Sequence, residues 1–457
     1  MRGEAAGPEQ LSLETGDGSR ISVTTKYAKS LLTREIRLGH LWAVCTMQAP
    51  KSSATERLDA DALWWRGRIG GNAITVIDGS HMGTTVRFVD LFSGSGGFSL
   101  GVRMAAEELG VAARAMAAVD IDADALHVYA ENHRPRMVLN CSVSDLVDYQ
   151  PIESGGEVSF FHAPEVVSDQ LARLVGRVDL VIGGPPCQGH SNLNNHTRRN
   201  DPRNSLYALV GVVAEALGAR VCLTENVPGV VRDHGEVVAS TKSLLGSAGW
   251  SWEEVVVAAD QIGWAQTRKR HFLIARKQPA SEGPETLRRS ATLADIYDAL
   301  RRPARPVSWL IGDLLDRSSR ADLMDQPSEL SEENKMRIAH LFENDEYTLS
   351  NEFRPLSHRN GHSYPASYGR MKWDSPAGTI TTGFLTPGRG RFIHAKEPRG
   401  LTPREGARLQ GYPDSFSFES SSGRTNRTLL AKWIGDAVPT PLGYLAGLAG
   451  LSQVLDG

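Results

Sequence analysis

From Val86 onward, short apolar runs alternate with longer segments of helical periodicity. The runs are VRFVDLF (86–92), ARAMAAVDID (113–122), VDLVIGG (178–184) and RVCLTENV (220–227). Strands that alternate with helices form βαβ units, and strands that are apolar throughout are covered on both faces of their sheet. The pattern therefore predicts an α/β fold with a doubly wound, mostly parallel sheet.

The alternation stops after Lys277, and a segment rich in Pro, Gly and charge extends to about residue 398. It contains a compact stretch, SPAGTITTGFLTPGRGRF (375–392), that we expect to be β-rich. A helix follows, with Thr402 as N-cap and Glu405 three residues later. The apolar tail suits packing back onto the sheet. We expect four segments, namely residues 1–84, 85–278, 279–398 and 399–457.

The charge is uneven along a chain whose net charge is only −3. Residues 311–347 carry ten acidic and four basic side chains, whereas residues 350–409 carry ten basic and four acidic ones. Basic residues interleaved with aromatics suit a phosphate backbone, although a solvated face has the same composition. No apolar run reaches the roughly 18 residues of a membrane span, and the N-terminus lacks the apolar core of a signal peptide. We expect a cytoplasmic protein.

The four cysteines do not form a metal-ligand pattern or a disulfide framework, since no CxxC pair occurs. Cys45 and Cys222 have apolar neighbours and are expected to be inert core residues. Cys187 differs, because Pro185 and Pro186 direct it onto a loop at the end of a strand. A thiol near helix N-termini favours the thiolate, which makes Cys187 a candidate nucleophile.

Ligands of open α/β sheets bind at the carboxyl ends of the strands. The first strand is followed by the glycine-rich turn SGSGG (93–97), and the second ends at Asp120, whose carboxylate could hold both hydroxyls of a ribose. Together they suggest a nucleoside cofactor, although each alone is weak and no GxGxxG fingerprint is present. Asp122 is alternatively a helix N-cap.

Two further strand ends carry charged side chains. Glu225 ends the strand after Cys187, and repulsion from a thiolate would raise the pKa of its carboxyl and keep it a proton donor. In QTRKRHF (266–272), Arg268 and Arg270 alternate at the start of a strand, where we expect both guanidinium groups on one face.

In this order the motifs resemble those of the DNA (cytosine-5)-methyltransferases. The resemblance covers roughly residues 86–277 and 365–450, and rests on DLFSGSGG (90–97), PPCQ (185–188), ENV (225–227), QTRKR (266–270), RGLTPREGARLQGYPDSF (399–416) and IGDAVPTPLG (434–443). It implies a class I S-adenosylmethionine-dependent methyltransferase fold. Residues 85–278 would be the catalytic domain, 279–398 a target-recognition domain and 399–457 a return to the catalytic domain, with no role assigned to 1–84.

The resemblance also implies a mechanism and a set of site residues. The Cys187 thiolate would attack carbon 6 of a flipped-out cytosine, Glu225 would protonate N3, and Arg270, beside Arg268, would hold O2. The methyl group would come from S-adenosylmethionine. The cofactor candidates are Asp90, Phe92, Ser93, Gly94, Gly96, Gly97, Asp120, Ile121, Ser142, Val143, Pro185, Leu206, Asp436 and Ala437. The DNA candidates are Gln188, Ser191, Arg370, Lys372, Thr381, Arg389 and Arg391. No metal is expected.

Two positions depart from the family pattern. Ser142 stands where the family has an acid for the adenine, with Asp145 one turn further on as a substitute. Gly435-Asp436 replaces the usual Gly-Asn. Both bear on cofactor affinity, and neither affects the catalytic residues.

Three alternatives remain open. One branch of the family methylates transfer RNA, but the separate segment between Lys277 and Arg399 favours double-stranded DNA. A non-catalytic DNA-binding relative and a small-molecule methyltransferase fit poorly with an intact Cys187 and Glu225. We expect a monomer, with other proteins of a restriction or phage-defence system as possible partners; the recognition sequence stays undefined.

Overall fold

The computed structural model describes residues 9–14, 20–50, 58–186, 206–232, 236–278, 291–315, 321–359 and 366–456. The chain forms two compact units. The first comprises Met1–Val257, Lys269–Arg301 and Thr440–Gly457, and the second comprises Ala258–Arg268 and Arg302–Pro439. These units group the residues differently from the four segments expected from the sequence, whose roles as domains stay predictions.

The N-terminal residues fold into an antiparallel five-stranded sheet and one helix. The strands are β1 (Glu9–Glu14), β2 (Arg20–Ala28), β3 (Leu31–Leu38), β4 (Leu41–Gln48) and β5 (Ile74–Gly79), paired in sequence order, and the helix is α1 (Ala60–Ile69). Burial alternates along β3 and β4, so one face of the sheet is buried.

A buried charged network joins this sheet to the rest of the first unit. Arg34 of β3 pairs with Asp61 and with Glu108, at 3.3 Å from Glu108 Oε2. Trp64 Nε1 and the Tyr444 hydroxyl each donate to Glu108 at 2.7 Å. Charged side chains this deeply buried are tolerated only when they are paired and hydrogen-bonded. No structure was predicted from the sequence for residues 1–84.

A seven-stranded sheet forms the centre of the first unit, in the order β15-β16-β14-β13-β6-β7-β8. Its strands are β6 (Thr85–Leu91), β7 (Ala112–Asp120), β8 (Val138–Asn140), β13 (Leu180–Gly183), β14 (Val221–Asn226), β15 (Trp250–Ala258) and β16 (Lys269–Lys277). The strands β6, β7, β8, β13 and β14 are parallel, and β16 is antiparallel to β14. The short strands between β8 and β13 are β9 (Val147–Asp148), β10 (Pro151–Ser154), β11 (Glu157–Phe160) and β12 (Glu165–Val166). The predicted mostly parallel α/β sheet is confirmed.

Helices connect the parallel strands. They are α2 (Gly97–Glu108), α3 (Ala123–His133), α4 (Asp169–Ala172) and α5 (Leu209–Leu217). The helix α6 (Val237–Ser247) leads from β14 to β15, and α7 (Leu293–Ala299) follows β16. One hydrophobic core packs the helices α4, α5 and α6 against the sheet and includes Cys222. Cys45 and Cys222 are both buried, and burial raises the pKa of each thiol, for Cys222 to about 12.

The second unit is built from short helices and turns. Its helices are α8 (Val307–Ile311), α9 (Glu332–Glu343), α10 (Pro403–Gln410) and α11 (Arg427–Asp436). The stretch 375–392 contributes an isolated β-bridge at Ala377 rather than extended strands, since prolines and glycines interrupt it. The N-terminus of α10 has the predicted capping box, in which Thr402 and Glu405 each accept from the other's backbone N–H.

The chain then returns to the first unit as α12 (Thr440–Leu455), a nearly fully buried helix. It crosses α2 so closely that a Cβ on Gly101 would lie 2.4 Å from the carbonyl carbon of Gly443. No helix among the described residues is both long and apolar enough to cross a membrane.

Candidate active site

The carboxyl ends of four parallel strands meet at one edge of the central sheet. Gly183 of β13 pairs with Leu91 of β6 on one side and Thr224 of β14 on the other, and Leu91 pairs with Val119 of β7. Because parallel strands end at the same edge, this register brings together the candidate residues that follow each strand.

Glu225 and Arg270 form a buried ion pair at this edge. Arg270 Nε lies 2.5 Å from Glu225 Oε1, and only about a tenth of each side chain is exposed. The antiparallel pairing of β14 with β16 positions the two residues, since Glu225 lies opposite Phe272 in the register. A second nitrogen of Arg270 donates to the carbonyl oxygen of Lys269 at 2.8 Å. The carboxyl of Glu225 is therefore held in a fixed orientation by a cation.

The Pro-Pro corner is tied to the same strand end. The side-chain amide of Asn226 donates to the carbonyl oxygen of Pro185 at 3.3 Å, and both residues are buried. This bond fixes the exit of β13 beside Glu225. Cys187, Gln188 and Ser191 lie outside the described residues, which stop at Pro186 and resume at Leu206. Pro186, which directly precedes Cys187 in sequence, is the last described residue of this segment.

The glycine-rich turn after β6 has an unusual backbone that its sequence allows. Phe92, Gly94 and Gly96 have φ of +54°, +50° and +93°. Such angles are unstrained for glycine, whereas at Phe92 they mark a position where the surrounding structure imposes the conformation. The Gly94 N–H donates to Asp120 Oδ2 at 2.8 Å, so the turn is bonded to the end of β7.

Asp120 organises the end of β7. Besides Gly94, its carboxylate accepts from the N–H of Asp122 at 2.9 Å, and the side chain of Asn140 donates to its carbonyl oxygen at 3.1 Å. Asp122 itself is the N-cap of α3, accepting from Ala125, as its alternative interpretation predicted. The ends of β6, β7 and β8 are thereby linked by hydrogen bonds to one residue, Asp120.

A buried polar network beneath the turn was missed by the sequence analysis. The Ser99 hydroxyl bonds to Asp90 Oδ2 at 2.5 Å and lies 2.6 Å from the Tyr129 hydroxyl. Burial, with the nearby charge of Asp120, raises the pKa of Asp90 to about 8. Asp90 Oδ1 and Ser93 Oγ are buried and have no hydrogen-bond partner among the described residues. The sequence pattern did not predict this contact, because the position of Ser99 in α2 does not by itself indicate that its side chain reaches Asp90.

His133 closes this network from α3. Its ring packs against Tyr129 with 4.6 Å between centroids and is hydrogen-bonded to the backbone of Gly96. A Cβ on Gly96 would lie 2.3 Å from His133 Nε2, so only glycine fits. Burial, followed by the charge of Arg103, lowers the pKa of His133 to about 3 and keeps the ring neutral.

The edge fits a nucleoside cofactor. Ile121 follows Asp120 directly and is 76% exposed, which places an apolar surface beside a carboxylate. The buried orphan atoms Asp90 Oδ1 and Ser93 Oγ offer polar partners, and α2 begins at Gly97 with its N–H groups at the turn. Val143, Pro185 and Leu206 add buried or half-buried apolar side chains around the strand ends.

Ser142 has a local role at the position of the expected acid. Its hydroxyl accepts from the N–H of Ser144 and caps the turn that follows β8. Asp145, the possible substitute, is exposed. The structure thus assigns neither residue to a ligand.

The second unit contains three of the catalytic and cofactor candidates, namely Arg268, Asp436 and Ala437. Arg268 is buried and donates to the carbonyl oxygens of Ile380 at 2.6 Å and Gly435 at 3.1 Å, while Gln266 donates to Leu409 at 2.8 Å. Arg268 directly precedes β16, and these bonds hold its guanidinium group on the backbone of its own unit. The placement of Arg268 and Arg270 on one face stays a prediction. Asp436 is exposed and lies 3.7 Å from Lys432 Nζ, and Ala437 follows the end of α11.

The DNA candidates of the second unit fall into two groups. Arg370 is buried, donates to the carbonyl oxygen of Ala395 and stacks on Phe342 at 4.0 Å, and Arg391 donates to the carbonyl oxygen of Arg370 at 2.9 Å. Both guanidinium groups are engaged within the unit. The exposed candidates are Lys372 and Arg389, with Thr381 half-buried.

Comparison with known proteins identifies a family whose match includes the central sheet and the candidate active site. The family model of the C-5 cytosine-specific DNA methylases matches residues 86–447. The chain is 41% identical over 366 residues to the type II methyltransferase M1.BsuMI of Bacillus subtilis, covering 80% of each chain. It is 28% identical to the type II methylase M.HgiDII of Herpetosiphon aurantiacus, covering 78% of this chain and 92% of that one.

Two solved structures share the fold. A prophage-encoded Escherichia coli protein described as a DNA modification methyltransferase matches with a TM-score of 0.52 and 23% identity, over 81% of this chain and 100% of that one. The Entamoeba histolytica methyltransferase EhMeth matches with a TM-score of 0.50 and 14% identity, over 82% and 98%. With the family match and the close bacterial relative, these findings show that the chain belongs to the C-5 cytosine-specific DNA methylase family and is a methyltransferase.

Proposed function

We propose that this protein transfers a methyl group from S-adenosylmethionine to carbon 5 of cytosine in double-stranded DNA, through a covalent adduct of Cys187. The single observation that carries the proposal is the buried Glu225–Arg270 pair beside the Pro185 corner that leads directly to Cys187. The carboxyl of Glu225 is oriented by a cation, and the neighbouring strand β13 leads through Pro185 to Cys187. This arrangement suits addition of a thiolate to a cytosine ring that is protonated as it accepts electrons.

The chain's own residues account for the steps. The Cys187 sulfur forms a bond to carbon 6, and Glu225, in its protonated form rather than as the carboxylate that pairs with Arg270, donates a proton to N3. Carbon 5 thereby becomes nucleophilic. S-adenosylmethionine supplies the electrophilic methyl group that carbon 5 accepts. Loss of the proton on carbon 5 expels the Cys187 thiolate, and return of the N3 proton to Glu225 restores the neutral ring. Arg270 orients Glu225 during these steps, and we also propose that Arg270 contacts O2 of the cytosine.

The residues proposed to hold the cofactor surround the glycine-rich turn. Asp120 would accept from the ribose hydroxyls, Ile121 would contact the adenine, and Ser93 and Asp90 would meet polar groups near the start of α2. The proton that Asp90 retains near neutral pH makes it a hydrogen-bond donor. Ser142 leaves the adenine contact without an acid.

DNA binding is proposed for both units. The base must leave the duplex to react with the thiol of Cys187, which costs a few kcal/mol in unstacking. Lys372 and Arg389 are the exposed candidates for phosphate contacts, and Gln188 and Ser191 adjoin the nucleophile in sequence. Like the relatives named as type II methyltransferases, the enzyme would mark DNA within a restriction or defence system.

The experiment is methyl transfer from labelled S-adenosylmethionine to duplex DNA and, separately, to transfer RNA. The wild-type protein should produce 5-methylcytosine in DNA. Cys187→Ala should abolish transfer, and Glu225→Gln should lower kcat about 100-fold or more while the affinity for the cofactor is retained. Label found in transfer RNA alone would assign the enzyme to the RNA branch and contradict the proposal.

A further inference from the structure

The amino ends of the parallel strands carry a row of arginines at the edge opposite the candidate active site. Leu180 of β13 pairs with Val221 of β14 and Phe88 of β6, so Asp179 lies between Arg220 and Arg87. Backbone bonds confirm this placement, since Asp179 N–H donates to Arg87 O at 2.8 Å and Arg220 N–H to Asp179 O at 3.1 Å. Arg87 in turn pairs with Arg114 of β7.

Two more arginines extend the row. Arg136 leads into β8, and its N–H donates at 3.0 Å to the carbonyl oxygen of Ala115, the residue after Arg114. Arg177 lies two residues before Asp179. We call the five residues the arginine row: Arg87, Arg114, Arg136, Arg177 and Arg220. With neighbouring strands about 4.8 Å apart, the row from β14 to β8 spans about 19 Å.

The arginine row has a large excess of positive charge. Asp179 lies 3.1 Å from both Arg87 and Arg220, and these contacts hold the pKa of Asp179 below its ordinary value although its partial burial acts in the opposite direction. Arg114, Arg136 and Arg177 are exposed and form no ion pair with any residue in the described part of the chain. The arginine row thus holds five guanidinium groups, of which two share the carboxylate of Asp179.

The fold accounts for only part of this charge. The helices α2, α3 and α5 end at this edge, and each C-terminus carries about half a negative charge that a nearby cation stabilises. That amounts to less than two charges. The helix ends therefore do not balance five arginines. Glu215 near the end of α5 does not balance them either, because it is paired with Lys277.

We infer that the arginine row binds the phosphate backbone of duplex DNA at a site separate from the candidate active site. Guanidinium groups match phosphate oxygens in a fork geometry, and several of them along one edge can contact successive phosphates. The choice of DNA rests on the proposed function, which brings this polyanion to the protein. The row would hold a DNA segment without reading its sequence, because contacts to phosphates carry no sequence information directly.

The test uses the full chain and a duplex of A·T pairs only, which contains no cytosine to enter the active site. The variant Arg114→Gln/Arg136→Gln/Arg177→Gln removes three charges that have no partners in the described structure. Its affinity for this duplex, measured by fluorescence anisotropy, should fall at least about tenfold at 0.1 M salt. The slope of log K against log salt should become shallower by two to three units, about 0.9 for each lost phosphate contact.

The matched control is Lys26→Gln/Lys29→Gln/Arg37→Gln, which lowers the net charge equally at exposed positions of the N-terminal sheet. It should bind the A·T duplex like the wild-type protein. Equal losses in both variants, or no loss in the arginine-row variant, would overturn the inference. So would a loss confined to single-stranded RNA or to an acidic protein.

Methyl transfer at saturating DNA separates this inference from the proposed function. The arginine-row variant should retain the wild-type kcat. If the wild-type protein methylates DNA but the variant binds the A·T duplex normally, the row is not a DNA site and the proposed function stands. If the variant loses duplex binding while the wild-type protein methylates no DNA, the row is supported and the proposed function fails.

Discussion

Arg270 Nε lies 2.5 Å from Glu225 Oε1, and both side chains are almost fully buried where β14 and β16 run side by side. A buried carboxylate and guanidinium stabilise each other only in good geometry, and removing one of them leaves the other charge unpaired. This pair therefore serves the stability of the sheet edge as well as the proposed proton transfer. The two contributions can be separated by substitution.

Arg270→Leu should lower the free energy of unfolding by about 3 kcal/mol, because it leaves the Glu225 carboxylate buried without a cation. The double variant Glu225→Gln/Arg270→Leu should regain most of that stability and remain inactive. Urea unfolding of the wild-type protein, both single variants and the double variant gives the coupling energy. A double variant no more stable than Arg270→Leu would show that the two residues are not coupled.

The sequence predicted the strand-end residues well and the partners of those residues poorly. Glu225, Asp120 and the glycine-rich turn were found because apolar runs mark strands and parallel strands share an edge. The capping box at Thr402 is a local signal and was also found. Long-range contacts such as Ser99 with Asp90 leave no signal in spacing, since they depend on how α2 packs.

The N-terminal sheet and Arg268 also show that a local sequence pattern does not predict long-range partners or the first residue of a strand. Arg34 interrupts an apolar face of β3 with a charge, which hides the strand pattern, and its partner Glu108 lies 74 residues away. Arg268 and Arg270 alternate as a strand would require, but the strand begins between them at Lys269. Alternation alone could not tell a strand residue from the residue before it.

The stability contributed by Asp90 should depend on pH. In the folded chain burial raises the pKa of Asp90 to about 8 from an ordinary value of 3.8, so folding takes up a proton between those values. The free energy of unfolding should therefore fall as the pH rises through this window. Asp90→Asn, which cannot titrate, should lose this component. Chemical unfolding of both proteins from pH 5 to 8 measures it, and a wild-type advantage that stays constant or grows with pH would refute the assignment.

Gly96→Ala should weaken binding of S-adenosylmethionine by at least about tenfold and lower the melting temperature, because the added Cβ would meet His133 Nε2 at 2.3 Å. The matched control is Gly156→Ala on the β10–β11 hairpin, whose φ is also positive at +85° but whose Cβ would contact nothing within 4 Å. Isothermal titration calorimetry and thermal unfolding compare the two. Equal effects would mean that backbone strain, not the contact with His133, decides the outcome.

Arg34→Met should destabilise the protein by about 3 kcal/mol or more, since Asp61 and Glu108 would lose their shared cation in a buried network. Arg37→Met on the same strand is the control, because Arg37 is about half exposed and its pair with Glu35 is worth at most about 1 kcal/mol. Urea unfolding gives both values. Similar small losses would show that the N-terminal sheet does not depend on the buried network.

The most direct test of the central claim is to trap the covalent intermediate. In duplex DNA that carries 5-fluorocytosine in place of cytosine, carbon 5 has no proton to lose, so the adduct cannot resolve after methyl transfer. With S-adenosylmethionine present, the wild-type protein should form a complex that survives denaturing electrophoresis and has the mass of protein, DNA strand and one methyl group, with Cys187 as the modified residue. Cys187→Ala should form none. A wild-type protein that methylates ordinary DNA but forms no such complex, or an active Cys187→Ala variant, would contradict covalent catalysis by Cys187.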